Sequence, residues 1–202
     1  FQRQVHEADG WVITNTQQLT GPVMKEEREG DYLINSVAGV GIGVLTADCL
    51  PIIFYAPKHN VVAAAHAGWR SAVAGIGPKV LTELQEKFGV NPSDVQVYLG
   101  ACAKVCCYEV GSDWAEKKQL APYLVTRDGK LYFDNPGFNK SLLIAAGVPA
   151  ANIYGQYNGC TICNHKYHSY RRAVDKKHYD VQATIVWITD RENNLTMKTG
   201  NS

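Results

Sequence analysis

The chain has 202 residues, 46% apolar and 19% charged, with 20 basic against 19 acidic side chains and a formal net charge of +1. That balance fits an ordinary folded domain with one sizeable core, and it excludes the excess of Lys and Arg that binding to a phosphate backbone demands. No apolar run approaches the roughly 20 residues of a membrane-spanning helix, so neither nucleic acid nor a membrane is expected as a partner. The chain is expected to fold as a single soluble, cytoplasmic domain over 1–202, monomeric or a small homo-oligomer, with 190–202 as a flexible tail. Phe1-Gln2-Arg3 carries neither an initiator Met nor a signal layout and reads as the start of a fragment. Six Cys are spread through a chain long enough to bury its own core, which points to reduced thiols rather than disulfide staples.

In chain order, Asp9 to Thr14 and Asp31 to Ile34 read as short strands, and the charged stretch Lys25 to Gly30 between them as a solvated loop. The runs Val40 to Leu45, Leu50 to Tyr55 and Val61 to Ala65 read as buried strands, broken at Thr46-Ala-Asp-Cys49 and at a Pro57-Lys-His-Asn60 turn. Arg70 to Phe88 follows a helical period through Ile76, Val80, Leu81, Leu84 and Phe88, with Pro78 marking a first turn or a kink and Gly89 the stop. A strand over Val95 to Leu99, helical segments at Ser112 to Gln119 and Asn135 to Ala146, and strands at Asn152 to Gln156 and Thr184 to Ile188 complete the pattern. Strands outnumber helices and several neighbours are joined by short turns, so the fold class is α+β with mixed sheets flanked by helices, not a doubly wound parallel sheet.

Cys49 and His66 each stand at a strand end, where a side chain can face a cleft. A lone Cys or His at such a place is more often a core residue or a satisfied imidazole, and pattern alone does not lift either above that. The segments Gln4-Val-His6, Thr46-Ala-Asp-Cys-Leu-Pro51, His66-Ala-Gly-Trp-Arg70, Tyr108-Glu-Val-Gly111 and Ser169-Tyr-Arg-Arg172 change the balance. In this order they resemble the laccase-domain family, also called multicopper polyphenol oxidoreductase-like, from the first residues to about Ile188. The family's stretch upstream of the Gln-Val-His segment has no counterpart in this sequence.

The resemblance implies a cytotoxic-necrotizing-factor-like cysteine hydrolase fold and a metal site of His6, Cys49 and His66. It also implies phosphorolysis of adenosine, inosine and methylthioadenosine together with deamination of adenosine. Two imidazoles and a thiolate suit zinc, although copper would accept them, and three protein ligands leave an open position as catalytic zinc sites do. Without a metal, the same Cys49 and His66 could work as a nucleophile and its base. Asp48 is a second candidate base, or the group that holds a ligand His by its other nitrogen. Arg70, at a helix start, and Arg171 or Arg172 are candidate anchors for phosphate, one of the latter pair being free to make a structural contact instead. Tyr170, with Tyr167 and His168, offers an aromatic face to a purine.

Three positions depart from the family pattern. Ser71 stands for a Gly and could cap a helix start, Ala173 stands for an Asp, and Gly100-Ala-Cys-Ala-Lys104 replaces a Gly-Pro loop. Cys160-Thr-Ile-Cys163 has the form of half a zinc ribbon or of a redox pair, without a second Cys-x-x-Cys or a strand-to-helix redox context, and Cys102, Cys106 and Cys107 can join it only if the fold brings them near; on spacing alone these five thiols read as structural or incidental. His59, His165 and His178 lie in polar loops. The rival activities are copper-dependent oxidation of polyphenols, which six His are too few to support with several copper centres, hydrolysis of peptidoglycan precursors, and a non-enzymatic zinc-binding role.

Overall fold

The computed structural model describes residues 1–19 and 25–189. The expected tail at 190–202 lies outside them. The strands are β1 (Gln2–Arg3), β2 (Gly10–Ile13), β3 (Lys25–Glu29), β4 (Tyr32–Asn35), β5 (Gly41–Thr46), β6 (Leu50–Ala56), β7 (Val61–Ala67), β8 (Gln96–Leu99), β9 (Glu109–Val110), β10 (Leu124–Arg127), β11 (Lys130–Phe133), β12 (Ile153–Tyr154) and β13 (Gln182–Trp187). The helices are α1 (Trp69–Val73), α2 (Ile76–Phe88) and α3 (Asn135–Ala145). Six strands form the main sheet in the order β12-β8-β6-β7-β4-β2, parallel at its two edges and antiparallel in the middle. The α+β class with mixed sheets is therefore the observed one.

The period of two along β7 explains the layering. Val61, Ala63, Ala65 and Ala67 join the core on the helix side with Ile76, Val80, Leu81 and Leu84 of α2, while Val62 and Ala64 pack on the other face against Ile42 and Val44 of β5. The ribbon β5-β13 thus covers the face opposite the helices, and a strand closed on both sides is apolar throughout. Each fully buried aliphatic side chain of α2 contributes about 1.5–3 kcal/mol through apolar area removed from water. A third cluster, Ala72, Trp114, Leu120, Phe133 and Phe138, lies under the small sheet β10-β11-β9.

Three sequence expectations need correction, and one hairpin goes beyond them. The stretch Lys25–Glu29 is a strand pairing in parallel with β1 rather than a loop, and Arg28 stacks on Trp11 at 3.6 Å while Arg3 and Glu29 form an ion pair. The helix expected over Arg70 to Phe88 is two helices, because Gly75 takes φ 79°, a left-handed conformation that ends α1; Pro78 sits in the first turn of α2, as one of its two readings had it. The helix expected at Ser112 to Gln119 is a short 3-10 segment, Ser112–Glu116. The hairpin β10-β11 was not anticipated, although its Asp128-Gly129 turn, with φ 51° and 73°, is the commonest two-residue hairpin signature.

Candidate metal centre

In the antiparallel ladder of β6 and β7, Leu50 faces Ala67 and Pro51 faces His66, so Cys49, one residue ahead of β6, falls beside the end of β7. His66 is an even-numbered residue of β7 and points to the β5 side of the sheet, away from the helices. His6 reaches the same place from the segment after β1. Gln4 clamps that segment to β5 by donating from Nε2 to Leu45 O at 2.7 Å and accepting from Leu45 N–H at 2.8 Å. The ligand atoms of His6, Cys49 and His66 all lie within 4.8 Å of one another, and Cys49 Sγ is 3.9 Å from His6 Nε2. Gly68 makes the approach possible: a Cβ there would stand 3.1 Å from both Cys49 Sγ and His6 Cδ2. His6 and Asp48 hold φ 65° and 88°, left-handed values that non-glycine residues adopt at a local cost and that collect at functional sites.

The side chain that organises this centre is Asp31, which the sequence reading passed over as the start of a strand. Its carboxylate is wholly buried, takes the Nδ1 proton of His66 at 2.7 Å, and accepts backbone N–H groups from Val5 and Glu7, at 3.1 and 2.8 Å, on either side of His6. One carboxylate therefore orients two of the three candidate ligands, and with Nδ1 engaged, Nε2 of His66 is the nitrogen left to meet a metal once its proton leaves. Its signal in the sequence was modest: an acidic residue opening the apolar run Tyr32-Leu-Ile, where burial requires a partner.

Electrostatics follow from these contacts. Burial alone would lower the pKa of His66, yet hydrogen bonds with Asp31 and Cys49 outweigh it and raise it to about 9. Burial pushes Cys49 up, and contacts with His6 and His66 more than reverse this, bringing it down to about 7. Asp31 is held below the ordinary carboxylate value, its burial outweighed by His66 and the backbone N–H groups. A cleft of about 400 Å³ opens over the three ligands, walled by Gln2, Gln4, Leu45, Ala47, Tyr179 and Val181.

The other sequence candidates surround this centre without lining the cleft. Asp48 does not hold a ligand His; its carboxylate accepts from Thr161 Oγ1 and from the backbone N–H of Arg171, both at 2.6 Å. Arg172 is spent on the carbonyls of Thr161, Ile162 and Tyr167, which gives it the structural half of the expected pair. Arg171 is exposed, donates to Glu109 O at 2.9 Å and lies 5.0 Å from the Tyr108 ring. Arg70 is exposed and rests on Trp69 at 4.6 Å. Tyr170 meets Tyr179, a wall of the cleft, edge to face at 5.1 Å. Ser71 caps nothing: it lies inside α1, fully buried, and its hydroxyl has no partner.

A family model described as multi-copper polyphenol oxidoreductase laccase matches residues 1–189. The chain belongs to this family. Among relatives of this laccase-type family, a protein named purine nucleoside phosphorylase from Borreliella burgdorferi is 35% identical over 167 residues, covering 79% of this chain and 69% of that one. A second, named adenosine deaminase RL5, from an unknown prokaryotic organism, is 36% identical over 142 residues, covering 67% of this chain and 53% of its own length. In three dimensions the fold matches YlmD from Geobacillus stearothermophilus with a TM-score of 0.77 at 31% identity, over 93% of this chain and 72% of that one. It also matches Bacillus licheniformis YfiH, with a TM-score of 0.78 at 26% identity, over 92% and 72% of the two chains. Among the described residues no helix is long and apolar enough to cross a membrane.

Proposed function

We propose that this chain is a zinc-dependent enzyme of purine nucleosides, a phosphorylase of adenosine, inosine and methylthioadenosine that also deaminates adenosine, working in the cytoplasm. The observation that carries the reading is the three-ligand set His6, Cys49 and His66 at the floor of a cleft with room for a small molecule. The names of the relatives supply the substrate class. When bound there, zinc supplies Lewis acidity and makes water acidic near neutral pH.

The chain's own residues do the rest. Asp31 fixes the ring of His66 and the backbone around His6, so the donor set is arranged before any ligand arrives. Arg70 and Arg171, exposed guanidinium groups beyond the cleft wall, draw phosphate toward it, and Tyr179, with Tyr170 packed against it, borders the purine ring. In phosphorolysis a phosphate oxygen bonds to the anomeric carbon of ribose while the glycosidic bond breaks and the purine leaves with the electron pair. In deamination a water oxygen bonds to C6 and ammonia departs. Both reactions use a nucleoside in the one cleft. Oxidation of polyphenols by several copper ions is disfavoured, since among the described residues the candidate metal groups are this one and a set of four thiols, neither with the imidazole count such centres need.

The test is a chromatographic assay of zinc-quantified protein with adenosine, with and without phosphate, beside His66→Ala. Adenine that requires phosphate, or inosine that does not, should form with the parent protein and vanish in the variant. Adenosine left intact by zinc-loaded protein would remove the nucleoside assignment.

A further inference from the structure

The six cysteines have three fates. Cys49 belongs to the centre described above. Cys102 is sealed in the core against Asn158, its thiol pushed well up by burial. Cys106, Cys107, Cys160 and Cys163 come from two loops distant in sequence, yet their sulfur atoms all lie within 4.8 Å of one another. A parallel bridge between Cys102 and Cys160 aligns the loops, with Cys102 N–H donating to Gly159 O at 3.1 Å and Thr161 N–H donating to Cys102 O at 3.0 Å. Each loop then turns: the N–H groups of Cys107 and Tyr108 both reach Lys104 O at 2.8 Å, and Asn164 N–H reaches Cys160 O at 3.1 Å.

We infer that Cys106, Cys107, Cys160 and Cys163 hold a single structural zinc ion in a closed tetrathiolate site. Tetrahedral zinc with bonds of about 2.3 Å needs its four sulfurs about 3.8 Å apart, the scale of this cage, whereas an iron–sulfur cluster places irons and sulfides between its thiolates and needs a wider one.

Charge fits as well. A zinc tetrathiolate carries a net charge of about −2, and three cations bind the carbonyls of the same two loops. Lys104 donates to Asn158 O at 3.0 Å, Arg127 to Val105 O and Cys106 O at 2.8 and 2.9 Å, and Arg172 to Thr161 O and Ile162 O at 2.7 and 2.9 Å. The ion ties the loop before β9 to the segment carrying Thr161 and Arg171, both of which hold Asp48 beside Cys49. It braces the back of the first centre and is independent of what that centre acts on.

The full chain, produced with zinc and purified under reductant, is analysed for metal beside His66→Ala and the double variant Cys160→Ser with Cys163→Ser. About two zinc ions per chain are expected in the parent and about one in each variant. Cobalt replacing zinc in His66→Ala should give the intense sulfur-to-cobalt charge-transfer bands of a tetrathiolate, and this measurement decides even if the double variant does not fold. A single zinc per parent chain that His66→Ala removes, or cobalt-loaded His66→Ala without those bands, overturns the proposal. So does finding the four cysteines paired as disulfides, by differential alkylation, in protein prepared without reductant that then takes up no zinc after reduction.

Discussion

Two groups of soft ligands sit in the same chain and differ in everything around them. At His6, Cys49 and His66 the candidate ligands number three, come from two strand ends and the segment after β1, and lie under a cleft, with one buried carboxylate spanning two of them. At Cys106, Cys107, Cys160 and Cys163 they number four, all are thiols, both halves lie in turns, and the nearby cations are spent on loop carbonyls. A missing fourth ligand and an access path make a place for chemistry. A complete set of four thiols makes a brace. Seen this way, Asp31 and the trio of Lys104, Arg127 and Arg172 play matching parts: the first prepares a site to accept an outside ligand, the others neutralise a site that accepts none.

The comparison is most strongly tested by removing ligands. Cys49→Ala should abolish metal at the first centre and lower turnover of adenosine by at least about 100-fold, since the remaining pair cannot hold the ion, while zinc at the thiol set stays. Metal analysis and turnover on the same sample read both. Next in size, Asp31→Asn keeps the shape of the carboxylate but loses its charge; zinc affinity at the first centre should fall about 10–100-fold by chelator competition, the thiol set being unaffected.

The third expectation concerns pH. Metal-free His66 gives up its proton near pH 9 and Cys49 near pH 7, so zinc uptake at the first centre releases protons and its apparent affinity rises with pH up to about 9. Stability of the metal-free protein changes little in the pH 7 to 9 window, because the raised His66 and the lowered Cys49 contribute with opposite signs there: the part from Cys49 is complete above its ordinary 9 and is lost as pH falls through about 7. Because His66 is raised above its ordinary 6.5, its contribution is complete below pH 6.5 and is lost as pH rises through about 9. The lowered Asp31 contributes above its ordinary 3.8, and that part is lost as pH falls below it. Melting temperatures across this range, with and without zinc, should diverge as pH rises; parallel curves would show that metal does not displace a proton from His66. The smallest effect belongs to Arg127→Ala, which removes one cation from the cysteine loop and should weaken zinc at the thiol set a few-fold by competition with a chelator, leaving the first centre and its turnover alone.

How far these regions could be read in advance follows from the range of the signals. His6, Cys49 and His66 were legible because each stands in a short motif and the order of the motifs resembles a known family. The strands β5 to β7 and the helix α3 were legible because apolar runs and capping residues are local. Asp31 was not, since what makes it important is a contact with His66 across two paired strands, and nothing adjacent in sequence reports it. The same holds for the thiol set: Cys160-Thr-Ile-Cys163 announces half a site, but its other half, an adjacent pair over fifty residues earlier, becomes visible only through the bridge of Cys102 with Cys160. The strand at Lys25–Glu29 was missed because its charged composition is that of a loop, and only pairing with β1 at a sheet edge makes it extended.

The most direct test of the central claim, an open centre beside a closed one, is the visible spectrum of the cobalt-substituted parent protein during a titration with adenosine. The account predicts that the bands belonging to the His6, Cys49 and His66 site shift as the nucleoside enters the cleft, while the tetrathiolate bands keep their position and intensity. Bands of the first site that stay fixed under saturating adenosine, or tetrathiolate bands that move instead, would contradict it.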